Sequence, residues 1–181
     1  MIKIENIETY GWKAAIRGMR NPMNSWDKSD SHYEWGGDDF CIGSNDLDLM
    51  KRLYKGGTEH RKYLRMINVT MDITAPLYWW KEFDTYKVGT VANSCSTMHK
   101  IHEKEFTEED FSMEHLGFLP WGKGEYNFKQ SIHETISDLN IARDLYLETK
   151  DKSYWWQMIQ LLPSSYNQKR TVKLNYEVLA R

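Results

Sequence analysis

The stretch Ile67–Lys87, INVTMDITAPLYWWKEFDTYK, decides the fold. Ile67, Val69, Met71 and Ile73 alternate with Asn68, Thr70, Asp72 and Thr74, the two-residue period of a strand with one buried face. Pro76 suits the first turn of a helix, where its missing N–H is not needed, so the strand is expected to feed directly into a helix over Pro76–Lys87. On that helix Trp79, Phe83 and Tyr86 fall on one face with Glu82 between them. A carboxylate among rings reads either as a solvated group paired with Lys81 or Lys87, or as a group facing a ligand.

After Gly89, the residues Thr90, Asn93, Ser94, Ser96 and Thr97 fall within eight positions. Such a density of small hydrogen-bonding groups serves a phosphate or a pyrimidine edge, or caps a helix start. Upstream, Asn45–Tyr54 carries Leu47, Leu49, Met50 and Leu53 behind an N-cap residue, and Gly56-Gly57 stops it, which predicts a helix. Met1–Glu8 reads as a strand, and Trp12, Ala15, Ile16 and Met19 follow helical spacing. Between these, Arg20–Ser44 is polar, rich in Gly and Asp and without a period, the mark of a long surface loop that is functional or mobile.

The later half holds an acidic stretch at Glu103–Asp110, a Pro/Gly turn at Leu119–Gly124 and a long helix over Phe128–Leu147. A further helix, Tyr154–Leu162, stops at Pro163, and the basic segment Asn167–Lys173 is expected to attract an anion. A last helix carries Leu174, Val178 and Leu179 as an apolar stripe with Asn175 beside it. No cap follows Arg181, so the chain is expected to be part of a longer one. Together these elements predict an α+β fold, a single domain over residues 1–181 with a small antiparallel or mixed sheet and packed long helices.

Composition narrows the function classes. With 24 Lys and Arg against 26 Asp and Glu, the formal charge of −2 argues against a nucleic acid as main partner. No apolar run is long enough to span a bilayer and no apolar signal segment opens the chain, so no membrane partner is expected and a cytoplasmic setting is. Cys41 and Cys95 are expected to remain reduced there. Eight Trp and eleven Tyr point to a large-ringed core or to a ring-binding site. Trp79-Trp80 and Trp155-Trp156 each set two indoles about 100° apart on a helix, so one of each pair can be buried while the other faces a cleft or a partner.

Two constellations carry less. His99, His102 and Glu103 lie at i, i+3 and i+4, but no second ligand cluster accompanies them, and a hydrated acidic helix end is the better reading than a metal site. Cys95 stands beside Ser96 and near His99, yet adjacent loop residues do not supply the geometry of a nucleophile and its base.

The order of strand, Ala75-Pro76 with apolar and aromatic residues, helix, and a polar loop with Asn and Ser resembles the flavin-dependent thymidylate synthases. In that family the helix ends in an Arg-His-Arg triplet preceded by Arg-Gln, and a loop of the form S-x-N-E-x-S-x-R-Y follows. Lys81-Glu82 takes the Arg-Gln place, and Thr85-Tyr86-Lys87 takes that of the triplet. With one inserted residue, Thr90, Asn93, Ser94, Ser96, Met98 and His99 meet the loop positions. His60 meets a histidine at the start of the preceding segment, and Leu162-Pro163, Tyr166 and Asn175 resemble the closing motif. The likeness covers roughly Glu59–His99 and Leu161–Arg181, under half the chain.

The resemblance implies a homotetramer that holds FAD at subunit interfaces and methylates dUMP to dTMP with NADPH and methylenetetrahydrofolate. It implies His60, Thr85, Tyr86, Lys87 and Asn175 as cofactor-binding residues, and Glu82, Asn93, Ser94 and Ser96 as residues for the pyrimidine deoxynucleotide. The chemistry would be the cofactors', with positioning and charge supplied by the protein.

The departures concern charge. Thr85 and Met98 stand where the family has arginines, Lys87 keeps a charge without the guanidinium fork, and Ile159 or Gln160 fills the place of a nucleotide-binding arginine. Glu82 in place of Gln sets a negative charge near a phosphate or a uracil carbonyl, repulsive unless the carboxyl is protonated. Each lost charge-assisted contact costs roughly 1.5–3 kcal/mol. Two expectations therefore stand side by side: a flavoenzyme of pyrimidine deoxynucleotide methylation, or a non-catalytic homologue that keeps the fold as a nucleotide- or flavin-binding or structural oligomeric protein.

Overall fold

The computed structural model describes residues 1–37, 39–86, 89–122 and 124–180. In chain order its elements are β1 (Lys3–Tyr10), α1 (Trp12–Arg20), β2 (His32–Tyr33), β3 (Phe40–Cys41), α2 (Ser44–Lys55), β4 (Asn68–Pro76) and α3 (Leu77–Phe83). There follow β5 (Val91–Ser94), β6 (Phe118–Trp121), β7 (Gly124–Asn127), α4 (Phe128–Thr149), α5 (Lys152–Leu161), β8 (Asn167–Asn175) and α6 (Tyr176–Leu179). One sheet has the order β1-β4-β8-β5, and β2-β3 and β6-β7 are antiparallel pairs. The architecture is the expected α+β one with antiparallel sheet.

The chain clusters into two compact units. One comprises Met1–Ile4, Ile73–Thr85 and Asn93–Thr171, the other Glu5–Asp72, Tyr86–Ala92 and Val172–Arg181. The first has a core of Ile101, Phe106, Phe111, Leu139, Ala142 and Met158, closed by α4 packing on α5. The second gathers Ala15, Ile16, Met19, Met50, Tyr63, Leu64 and Ile67.

The strand read from Ile67–Thr74 is β4, and its inward residues Val69, Met71, Ile73 and Ala75 are buried as the alternation requires. Each large apolar side chain so buried contributes about 1.5–3 kcal/mol. Pro76 differs from expectation: it closes β4 as the N-cap of α3, in extended conformation, and does not lie inside the helix. α3 also ends early, at Phe83. The Thr85 hydroxyl turns back onto the carbonyl of Glu82 at 2.7 Å, a local bond that competes with helix propagation. Tyr86 therefore lies beyond the helix, and only Trp79 and Phe83 of the expected aromatic face stack, at 5.1 Å. Trp80 is buried and Trp79 half-buried, while Trp156 is exposed beside Trp155, the division that adjacent helical indoles impose.

Further expectations change. The polar loop after Gly89 contains the exposed edge strand β5. The basic segment Asn167–Lys173 is not a surface run but most of β8, with Gln168, Val172 and Leu174 buried along it. Leu174 belongs to that strand, and α6 starts only at Tyr176. β1 is a strand, shifted to Lys3–Tyr10, but its Ile4 and Ile7 are exposed and Asn6 adopts a positive φ of 52°.

The periodless stretch Arg20–Ser44 is pinned at both ends. Arg20 Nε donates to Asp46 Oδ1 at 2.6 Å, with both side chains buried, and its remaining nitrogens reach the carbonyls of Ser25 and Lys28. Asp46 Oδ2 accepts from the hydroxyls of Ser29 and Ser31 and from the amides of Asp30 and Ser31. Asp30 in turn accepts the amides of Asn45 and Asp46, capping α2 from fourteen residues upstream of its first helical residue. Gly43 permits this, because a Cβ there would stand 2.1 Å from Asp30 Cγ. Burial pushes the Asp46 carboxyl upward, but hydrogen bonds from Ser31, Ser29 and Arg20 outweigh it and hold the group below the ordinary carboxylate range.

Candidate functional site

The expected residues divide between the two units: Glu82, Thr85, Asn93, Ser94 and Ser96 in one, His60, Tyr86 and Asn175 in the other. Lys87 lies outside the described residues.

In the first unit the end of α3, β8 and the end of β5 meet. Trp80 Nε1 donates to the carbonyl of Gln168 at 2.9 Å, and the Arg170 guanidinium lies 4.3 Å from the Trp80 ring centroid. Arg170 Nε donates to Gln168 Oε1 at 2.9 Å and Nη1 to Asp84 Oδ1 at 2.8 Å. The buried Gln168 then donates through Nε2 to the carbonyl of Cys95 at 2.7 Å, while the Cys95 amide donates to Lys169 at 3.0 Å. Glu82 and Thr85 are joined by the amide and hydroxyl of Thr85 on the Glu82 carbonyl, and both side chains are exposed. Asn93 and Ser94 are exposed on β5.

Ser96 is half-buried and accepts the amide of His99, so it caps a turn instead of a helix. It opens onto a cleft of about 320 Å³ shared with Cys95, Lys100, Lys104, Phe106 and Tyr166. Lys100 is paired with Glu103, and Lys104 with Asp110. Burial raises the Tyr166 phenol above its usual pKa, with Asp110 and Cys95 adding to the effect, so it stays a neutral hydroxyl. Glu103, Glu105 and Asp110 line the cleft as well, so the rings of Phe106 and Tyr166 share it with hydroxyl, ammonium and carboxylate groups. The spacing of His99, His102 and Glu103 is not realised on a helix, since they lie in turns, and the His102 ring packs edge-on against Tyr146. Among the described residues no three side chains gather as a metal site. Both cysteines are free thiols.

In the second unit His60 is exposed at the mouth of a groove of about 610 Å³, lined also by Met19, Met23, Leu53, Tyr63 and Met66. Asn175 caps α6 through Oδ1 on the Val178 amide at 3.1 Å. Gly89, at φ +76°, approaches its amide so closely that a Cβ would stand 2.6 Å from Asn175 Nδ2. The Tyr86 carbonyl accepts the hydroxyl of Thr90, and its ring is half exposed. None of His60, Thr85, Tyr86 and Asn175 carries a fixed positive charge, so these residues by themselves do not match a diphosphate.

The sequence reading missed the partners of Gln168 and Arg170, and Lys100 and Lys104. Arg170 was legible only as one charge in a basic run, whereas its place is set by the ring beneath it.

The fold that carries this arrangement is shared with flavin-dependent thymidylate synthases. A crystal structure of thymidylate synthase X from Helicobacter pylori with FAD and dUMP matches 99% of this chain and 80% of its own, with a TM-score of 0.65 at 17% identity. The Helicobacter pylori flavin-dependent enzyme complexed with FAD and dUMP matches 98% of this chain and 80% of its own, with a TM-score of 0.64 at 16% identity. The UMP/dUMP methylase PolB from Streptomyces cacaoi bound with 5-Br dUMP matches 99% and 75% respectively, with a TM-score of 0.57 at 15% identity. No protein-family model and no curated protein sequence matches the chain. No helix of the described residues is long and apolar enough to cross a membrane.

Proposed function

We propose that this chain is a divergent member of the flavin-dependent thymidylate synthase family, one domain over residues 1–181, that binds FAD and methylates a pyrimidine deoxynucleotide, dUMP or a close relative. The observation that carries this reading is the shared fold over 99% of the chain, in structures holding FAD and dUMP. NADPH as reductant, methylenetetrahydrofolate as one-carbon donor, a homotetrameric assembly and a cytoplasmic setting belong to the same reading.

In it His60, Tyr86 and Asn175 hold the flavin, with Thr85 and Lys87 toward its phosphates. Bound flavin, once reduced, supplies the hydride. Ser96 and Asn93 offer donors and acceptors to the nucleotide, and Ser94 adds a hydroxyl from the edge of β5. Tyr166, kept neutral, donates a hydrogen bond on the floor of the Ser96 cleft. Glu82 accepts from an N–H of the base, the role its carboxylate can fill without a cation beside it.

A second reading, a non-catalytic homologue that binds nucleotide or flavin or serves an oligomer, is favoured by one observation. Thr85 stands at the place of a family arginine, and its hydroxyl is turned onto the Glu82 carbonyl. Spectroscopy and turnover separate the two. The expected result is a shifted visible flavin absorbance on adding FAD, a further change on adding dUMP, and dTMP formation with NADPH and methylenetetrahydrofolate. Flavin binding without turnover on any pyrimidine deoxynucleotide would favour the second reading, and a colourless protein that leaves FAD fluorescence unquenched would sink the first.

A further inference from the structure

We propose that Arg170 and Gln168 form a positioning pair that locks together two segments carrying expected ligand contacts, Glu82–Thr85 at the C-terminal end of α3 and Cys95–Ser96 after β5. No sequence likeness assigns either residue a role. The chain of contacts is continuous: Asp84 carboxylate, Arg170 guanidinium, Gln168 side-chain amide, Cys95 carbonyl, at 2.8, 2.9 and 2.7 Å. Residues of the proposed ligand sites stand at each end, Glu82 and Thr85 beside Asp84, and Ser96 beside Cys95.

The chemistry of the pair suits this task. The guanidinium is flat, and Trp80 lies 4.3 Å beneath it, so the plane of its donor fork is fixed by the ring while the helix end supplies the carboxylate. Gln168 is buried, and its amide has one acceptor and two donors. The acceptor takes Arg170 and a donor takes Cys95, so the amide cannot rotate without losing both bonds. The Gln168 backbone carbonyl is itself held by Trp80 Nε1. Asp84, by contrast, is 51% exposed and can be altered without opening the core. Loosening the α3 end is therefore transmitted through two oriented planar groups to the backbone that presents Ser96. Neither Arg170 nor Gln168 need touch the ligand.

The inference rests on the proposed function for the identity of the ligand, and the test separates the two. Amide hydrogen exchange of the full chain without ligand is measured for the wild type, Asp84→Asn and Arg170→Lys. Both variants are expected to speed exchange at Thr85 and at Cys95 together, by about tenfold, the consequence of losing one hydrogen bond from a network. Amides in the middle of α4 should stay at wild-type rates. Lysine keeps the charge but not the fork, so a rescue of both sites by Arg170→Lys would reduce the role to simple charge neutralisation and overturn the proposal. Deprotection of Thr85 alone in Asp84→Asn would overturn it too. Asp84→Asn alters an exposed residue and keeps the experiment decisive if the Arg170 variant fails to fold. Titration with dUMP is run in parallel. A several-fold weaker affinity in Asp84→Asn, with coupled exchange, supports the pair as a positioning device. If the wild type binds neither dUMP nor another pyrimidine deoxynucleotide the proposed function falls, while the exchange result still decides the coupling.

Discussion

Two of the protein's arginine–aspartate pairs are alike in length and opposite in surroundings. Arg20 and Asp46 meet at 2.6 Å with side-chain exposures of 4% and 0%, whereas Arg170 and Asp84 meet at 2.8 Å with 15% and 51%. In the first pair the other oxygen of the carboxylate is filled by serine hydroxyls and backbone amides, and the remaining guanidinium nitrogens by carbonyls. In the second the carboxylate is half in water and the cation leans on a ring. Enclosure turns the same chemistry into a fastener for the non-periodic stretch between α1 and α2. Partial exposure leaves the second pair weaker and reachable by water, beside the segment proposed to carry ligand contacts.

The largest effect is expected from breaking the enclosed pair. Asp46→Ala strands the buried Arg20 and the donors of Ser29, Asp30 and Ser31, and should cost about 3–5 kcal/mol in urea denaturation. A loss under about 1 kcal/mol would mean that water reaches Arg20 and the enclosure is not what it looks like. Acid should act in the same direction. The folded Asp46 carboxyl lies below its ordinary value, so its contribution is complete above the unfolded pKa of about 4 and is lost as pH falls through the folded value. Denaturation midpoints of wild type and Asp46→Asn should therefore converge toward low pH. Midpoints that stay equally far apart from pH 7 to pH 2 would contradict this.

The contrast also explains what could be read in advance. β4 was legible because its signal is local, the period of two in Ile67–Ile73, and the long helix α4 was expected from Phe128 onward. Arg20 and Asp46 are 26 residues apart, and no local pattern announces their pairing. The helix reading of Asn45–Tyr54 drew attention to Leu47, which is exposed, and passed over Asp46, which is buried. β8 was obscured because Lys169, Arg170 and Lys173 advertise a charged surface run, while its period-two inward residues begin with a glutamine. Ser96 and Glu82 could be proposed from residue type. Gln168 and Arg170 could not, since their significance comes from Trp80 and Cys95, which the fold brings to them.

A middle-sized effect tests Asn175, which both caps α6 and faces Gly89. Asn175→Ala should cost about 1 kcal/mol through the lost cap. Gly89→Ala should cost about 1–3 kcal/mol, because its positive φ strains any Cβ and the amide of Asn175 must move aside. If Asn175 also holds flavin, both variants weaken FAD binding more than heat or urea resistance would suggest, as fluorescence quenching can show. A loss of stability with unchanged FAD affinity would leave Asn175 a cap only.

The smallest stability change is expected at the open pair, and there it says most. Asp84→Asn removes a half-exposed ion pair and should lower stability by under about 1 kcal/mol, within the range of surface pairs. The same substitution should nevertheless change how Ser96 is presented, because the guanidinium it releases is the one that orients Gln168. A small loss of stability and a larger loss of dUMP affinity would mark the open pair as built for positioning. Equal losses in both would make it a weaker copy of the Arg20–Asp46 fastener, and the difference in enclosure would then be one of degree.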